Sequence, residues 1–174
     1  MQTIKLKDKP FLVIGSSGQE ETLTQDIVDN YNSIAINKSP FKVDIIFRYD
    51  VPNDNLTKLD MCNYFCTNIK YKDYEKYQND KCKFFESEYR IISKELPVLG
   101  FYRFTVTGVL NYIAIVKPKA EVYLAGIDHS NKQYKVPSVR EYIEEYDKQG
   151  LLKIYQTDIN SKNWKLEYKE IINE

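Results

Sequence analysis

The chain has no excess of either charge: 25 Lys and Arg stand against 25 Asp and Glu, for a formal net charge of zero. That balance removes any global electrostatic drive toward nucleic acid. A local basic run, Lys70-Tyr71-Lys72, reads first as a solvated face and second as a phosphate-attracting patch. Cysteine is scarce at three residues, and three cannot all pair within one chain. Cys62 and Cys66 stand at helical spacing, with no second Cys or His pair near them to complete a zinc site. A reduced, cytoplasmic protein is therefore expected. Long apolar runs are missing too. Nothing approaches the roughly 18 residues of a membrane span, and the start at Met1-Gln2-Thr3-Ile4-Lys5 has no apolar core of signal-peptide length. These absences predict a soluble, unanchored chain. Internal repeats and Gly/Ser-rich or Pro-rich linkers are also lacking, so a single domain is expected over 1–174.

What is present suits a globular α/β protein. Hydrophobic residues make up 43% and charged residues 29%, with fifteen Tyr and eight Phe providing much of the bulk. Phe11-Leu12-Val13-Ile14 is a wholly apolar run between Lys9-Pro10 and Gly15-Ser16-Ser17-Gly18, the pattern of a buried strand that ends in a phosphate-sized loop. Leu23, Ile27, Val28 and Tyr31 then form one stripe of an amphipathic helix, with Glu20 and Glu21 suited to its first turn. Residues 33–37 and 43–47 read as two more strands, separated by a turn at Lys38-Ser39-Pro40. The charged and aromatic stretch from Leu56 to Lys94 reads as one or two helices. An extended piece around Tyr102-Arg103-Phe104 leads into Thr107-Gly108, which opens an almost wholly apolar helix that Pro118 stops. Residues 121–125 form the next strand, ending at Gly126-Ile127-Asp128. Ser138-x-x-Glu141 has the form of a capping box, followed by Tyr142, Ile143 and Tyr146 at helical spacing. Residues 152–155 close the series, and Trp164 to Tyr168 alternates like an edge strand or terminal arm.

Strands alternating with helices imply a Rossmann-like domain, a mainly parallel sheet with helices on both faces. Ligands bind such sheets outside the carboxyl ends of the strands. The strand ends at Gly15 to Gly18, Asn37, Asp50 and Gly126-Ile127-Asp128 are small or polar and should converge there, with Thr107-Gly108 beside them.

Three of these pieces together resemble the sialyltransferases. In the eukaryotic-type enzymes a strand leads to Gly-Asn-Ser-Gly and later to Asn-Lys-Ala-Pro. This chain has Val13-Ile14-Gly15-Ser16-Ser17-Gly18 and Ile36-Asn37-Lys38-Ser39-Pro40 at nearly that distance. The second motif, Ser-Thr-Gly before an apolar helix and a strand, is similar to Val106-Thr107-Gly108 through Tyr123-Leu124-Ala125-Gly126-Ile127-Asp128. The bacterial lipooligosaccharide sialyltransferases resemble that stretch more closely still, with Tyr-Leu-Ser-Gly-Ile-Asp. The resemblance covers residues 11–50 and 102–157.

It implies a glycosyltransferase that moves a sugar, most naturally sialic acid, from a CMP-sugar to a glycan or glycolipid acceptor. Main-chain N–H groups of Gly15, Ser16, Ser17 and Gly18, placed at a helix N-terminus, would favour the ligand's negative charge. Asn37 would contact the nucleotide, and Asp50 stands at the end of the next strand. Thr107 and Gly108, at another helix start, would hold the sugar carboxylate or phosphate, and Gly126, Ile127 and Asp128 would line the cytidine. His129, the only His, would serve as base, with the Tyr134 hydroxyl on the leaving phosphate. No Asp-x-Asp motif occurs, and the family is similar in needing no metal for its donor, so no cofactor is implied. Turn glycines, strand-end caps at Asn37 and Asp128, and an N-cap at Thr107 are the competing structural readings. Two departures stand out: Ser16 replaces the family's Asn, and the interval from His129 to Pro137 is too short for the family's lid. They leave open a non-catalytic nucleotide-binding module or a protein-interaction module on the same fold.

Overall fold

The four apolar residues Phe11–Ile14 form β1, and all four side chains are fully buried because both faces of the strand are covered. In a computed structural model, residues 4–15, 22–48, 61–67, 82–84, 105–127, 138–158 and 164–171 are described. After β1 the elements run α1 (Gln25–Asp29), β2 (Asn32–Ile36), β3 (Val43–Arg48), β4 (Cys62–Thr67) and β5 (Cys82–Phe84). They continue with α2 (Thr105–Val116), β6 (Glu121–Ala125), α3 (Ser138–Lys148), β7 (Lys153–Gln156) and β8 (Glu167–Tyr168). The strands form one sheet in the order β5-β4-β3-β2-β1-β6-β7-β8. Every neighbouring pair is parallel, so the sheet is wholly parallel.

Strand periodicity sends alternate side chains to opposite faces, and the core divides accordingly. Phe11, Val13, Val122, Leu124 and Ile154 face α2 and α3. Leu12, Ile14, Tyr123, Ala125 and Tyr155 face the side that α1 covers with Ile27 and Val28. Each fully buried aliphatic or aromatic side chain contributes about 1.5–3 kcal/mol. The expected stripe of Leu23, Ile27, Val28 and Tyr31 is buried. So are Tyr142, Ile143 and Tyr146 of α3. Helix α2 is nearly all buried through Ile113, and its Asn111 accepts a hydrogen bond from the Tyr146 hydroxyl of α3.

Three expectations need correction. The segment from Leu56 to Lys94 contains two strands, β4 and β5, where helices were expected. The four-residue interval between Cys62 and Cys66 suits a helix turn, but the segment is extended, and the two thiols pack into different core layers, Cys66 on the α2 and α3 side and Cys62 on the α1 side. Both thiols are buried while Asn63 between them is exposed. Helix α1 starts later than Glu20, at Gln25, because the Thr24 hydroxyl caps it by accepting from the Ile27 N–H at 3.4 Å and Asp26 supplies the acidic first turn. The helix of residues 105–116 starts earlier, at Thr105, so Thr107 and Gly108 lie inside its first turn and do not cap it. Lys70-Tyr71-Lys72 and Tyr102-Arg103-Phe104 lie outside the described residues.

A polar network ties the chain at the amino ends of the strands. Lys7 Nζ donates to Asp44 Oδ2 at 2.8 Å and to the Tyr31 carbonyl at 2.9 Å. The same carboxylate oxygen accepts from the Ser33 N–H at 3.0 Å. Asn32, 1% exposed, accepts from the Lys7 N–H and donates to the Lys7 and Lys9 carbonyls.

Candidate functional site

Strand order reverses between β1 and β6: the chain moves outward from β1 through β5, then returns to the other side of β1. Open parallel sheets have their ligand crevice at such a switch point, beyond the carboxyl ends of the strands. Here Ile14 stands level with Ala35 of β2 and with Ala125 of β6. The residues that follow these strand ends, Gly15, Asn37, Gly126 and Ile127, therefore gather at one edge.

The backbone there is constrained. The Gly15 N–H donates to the Ala125 carbonyl at 2.8 Å, extending the ladder past the end of β1. A Cβ on Gly15 would stand 2.3 Å from the Gly126 carbonyl oxygen and 2.7 Å from Ile127 Cγ1, so only glycine permits this approach. Gly126 itself turns out of β6 at φ 66°. Asn37 leaves β2 at the same positive φ, 66°, a conformation that Asn tolerates better than most residues. Its N–H is held by the Phe47 carbonyl at 2.8 Å, and its side chain is exposed at the edge. Buried Ser39 continues the Lys38-Ser39-Pro40 turn, its hydroxyl accepting from the Phe41 N–H at 3.0 Å.

Two helices also point their amino ends this way. Residues 117–120 join the end of α2 to the start of β6, and residues 149–152 join α3 to β7. Short links at the amino ends of the strands require each preceding helix to begin at the carboxyl edge. The twelve residues of α2 rise about 18 Å, close to the span of a five-residue strand, so its first turn reaches that edge. The helix dipole favours an anion at such an end. Thr107, 3% exposed, and Gly108 are the third and fourth residues of this helix.

Of the residues singled out in the sequence, the structure brings Gly15, Asn37, Gly126 and Ile127 together, with Thr107 and Gly108 in the adjoining helix turn. Ser16, Ser17, Gly18, Asp50, Asp128, His129 and Tyr134 lie outside the described residues. Helix α1, capped at Thr24, begins seven residues after Gly18 in the sequence. Among the described residues no group of three His, Cys, Asp or Glu side chains stands close enough to hold a metal.

One residue escaped the sequence reading. Gln156 ends β7 beside Leu124, only 8% exposed, and its Oε1 is a buried side-chain atom with no hydrogen-bond partner. Its signal was parity: Gln156 shares a strand face with Ile154, which is buried in the core under α2 and α3.

The displaced titrations lie elsewhere. A hydrogen bond with Tyr123 raises the Lys169 pKa, and one with Glu167 raises that of Lys153. Burial raises that of Tyr155, on the opposite face of β7 from Gln156. Hydrogen bonds from Lys148 and Gln149 lower that of Glu145 on α3. Among the described residues no helix is long and apolar enough to cross a membrane.

A wholly parallel α/β sheet with a glycine-lined switch point defines a Rossmann-like fold. Solved structures narrow the class. The chain is similar to the sialyltransferase CstII of Campylobacter jejuni in complex with the substrate analogue cytidine-5'-monophosphate, with a TM-score of 0.66 and 13% identity, covering 95% of this chain and 88% of that one. It is also similar to the monofunctional alpha-2,3-sialyltransferase Cst-I of Campylobacter jejuni, with a TM-score of 0.60 and 12% identity, covering 99% of this chain and 84% of that one. At these identities the likeness is one of fold, an α/β glycosyltransferase-like architecture. No family model and no curated sequence matches the chain.

Proposed function

We propose that this chain is a CMP-sugar glycosyltransferase, with sialic acid as the donor sugar and a glycan or glycolipid as acceptor. The observation that carries this reading is the contact of Gly15 with Gly126 at the switch point, on a fold shared with a CMP-bound sialyltransferase. In this reading the backbone of Gly15, Ser16, Ser17 and Gly18 and the first turn of α2 at Thr107 and Gly108 bind the negative charges of the donor. The Asn37 amide meets base or ribose, and Gly126, Ile127 and Asp128 line the cytidine, with Asp50 at the neighbouring strand end.

Chemically, the acceptor hydroxyl oxygen bonds to the anomeric carbon as the bond from that carbon to the phosphate oxygen breaks. The electron pair leaves with CMP, and the hydroxyl proton passes to His129, with Tyr134 donating to the leaving phosphate. Backbone N–H groups hold the phosphate without a metal in this proposal, so turnover is expected to survive EDTA. Restoration of lost activity by magnesium or manganese would overturn that point.

Calorimetry with CMP, CMP-sialic acid, UMP and GDP tests the binding half; saturable binding of the cytidine ligands alone is expected, and equal, unsaturable heats would remove it. Release of CMP from CMP-sialic acid, with and without a galactoside, tests the chemistry. His129→Ala is expected to slow transfer by roughly 10²–10⁴-fold with CMP affinity nearly unchanged. The nine residues from His129 to Pro137 favour a second reading, a nucleotide-binding module without turnover. CMP binding with no CMP release under any condition would select it.

A further inference from the structure

We propose that Gln156 reads the nucleoside, its Oε1 accepting a hydrogen bond from a donor group of the bound cytidine; the inference rests on the CMP-binding reading above. Register sets Gln156 beside Leu124 of β6, two residues before Gly126 turns across the crevice. Its side chain lies on the Ile154 face, the side of the sheet on which α2 and α3 pack and toward whose carboxyl edge both helices begin.

The next residue closes the local backbone, because the Thr157 hydroxyl donates to the Leu124 carbonyl at 2.7 Å. The Gln156 side chain is thus not needed to finish the β6/β7 ladder, which its backbone joins. Its buried oxygen instead carries a desolvation cost that a methionine or leucine of similar volume would avoid. The other buried primary amides show the contrast. Asn32 makes three hydrogen bonds at the amino edge, and Asn111 bonds Tyr146 inside the helical layer. An acceptor left open at the ligand edge is explained by a donor that arrives with the ligand.

Cytidine offers two kinds of donor, the base amino group and the ribose hydroxyls. Uridine replaces the amino group by a carbonyl, and 2'-deoxycytidine lacks one hydroxyl, so UMP and 2'-deoxyCMP distinguish them. The experiment titrates CMP, UMP and 2'-deoxyCMP into wild-type protein and Gln156→Met, and follows thermal unfolding of both without ligand. The expected result is a CMP affinity about tenfold lower in Gln156→Met, equivalent to one buried hydrogen bond. Its preference for CMP over one of the two analogues should collapse. The unliganded variant should unfold about 2–4 °C higher, because the unpaired acceptor is gone. Unchanged CMP affinity in a wild type that binds CMP would overturn this proposal alone, as would a variant that loses affinity and stability together, the mark of a structural glutamine. A wild type that binds no cytidine nucleotide would overturn the proposed function and this inference with it.

Discussion

The two ends of the sheet are built on opposite principles. At the amino ends of β1, β2 and β3, polar groups are joined to one another: Asp44 meets Lys7 and Ser33, and Asn32 stitches the segment before β1 to the start of β2. At the carboxyl ends the backbone is tightly confined while polar capacity is left open. Gly15 has no room for a Cβ, Asn37 and Gly126 hold positive φ, and the Gln156 oxygen has no partner. The first pattern satisfies the folded chain. The second costs the folded chain something and is understandable as preparation for a ligand.

Substitutions at the two ends should therefore separate stability from binding. The largest effect is expected at Gly15. Gly15→Val would drive a branched side chain into the Gly126 carbonyl and Ile127, so stability should fall by about 3 kcal/mol in urea unfolding, with nucleotide binding lost. Wild-type stability in this variant would mean that the two strand ends part easily.

Next, Asp44→Ala should cost about 2 kcal/mol, since it strands the buried Ser33 N–H and takes the carboxylate from Lys7, whose ammonium keeps its bond to the Tyr31 carbonyl. Its affinity for CMP should match wild type, and a binding defect as large as that of Gly15→Val would erase the distinction between the two ends.

At Asn37 two variants divide backbone from side chain. Asn37→Ala must hold a positive φ and should lose about 1 kcal/mol of stability. Asn37→Gly should keep wild-type stability yet lose about 1–3 kcal/mol of CMP affinity if the amide touches the nucleotide. Full affinity in Asn37→Gly would reduce the residue to a turn former.

The smallest effect involves neither end. The Lys169 ammonium lies 4.5 Å from the Tyr155 ring centroid, and its pKa is raised by its hydrogen bond with Tyr123. That of Tyr155 is raised by burial. Both groups hold their protons more tightly folded than unfolded, so their contribution is complete below about pH 10 and declines as pH rises further. A shallow loss of stability on the alkaline side, reduced in Lys169→Met, is expected, and identical pH profiles for the two proteins would refute the assignment.

Much of this sheet was legible in the sequence because burial on both faces writes wholly apolar runs, as in Phe11–Ile14, and because Gly15 and Gly126 follow such runs directly. The carboxyl-edge gathering of Gly15, Asn37, Gly126 and Ile127 was readable for the same reason. β4 was not, because its Cys-x-x-x-Cys interval imitates a helix turn, while the pairing with β3 that makes it a strand leaves no local pattern. The start of α1 was misplaced because Glu20 and Glu21 imitate an acidic first turn, a role that Asp26 fills behind the Thr24 cap. Gln156 was passed over because a polar residue at the end of a short run reads as solvated, and only its register with Leu124 puts it at the crevice.

The central place of β1 also orders events in time. Phe11 pairs with Asn32 on one side, a local partner, and with Val122 on the other, a partner that emerges from the ribosome only after five strands have been made. Until β6 exists, one edge of β1 is open to mispairing. Loop closure of that length is slow, so the seam bearing Gly15 and Gly126 should form late in folding. Pulse-labelled hydrogen exchange would show this as delayed protection of the Gly15 N–H relative to the Asn32 N–H, and simultaneous protection would contradict it.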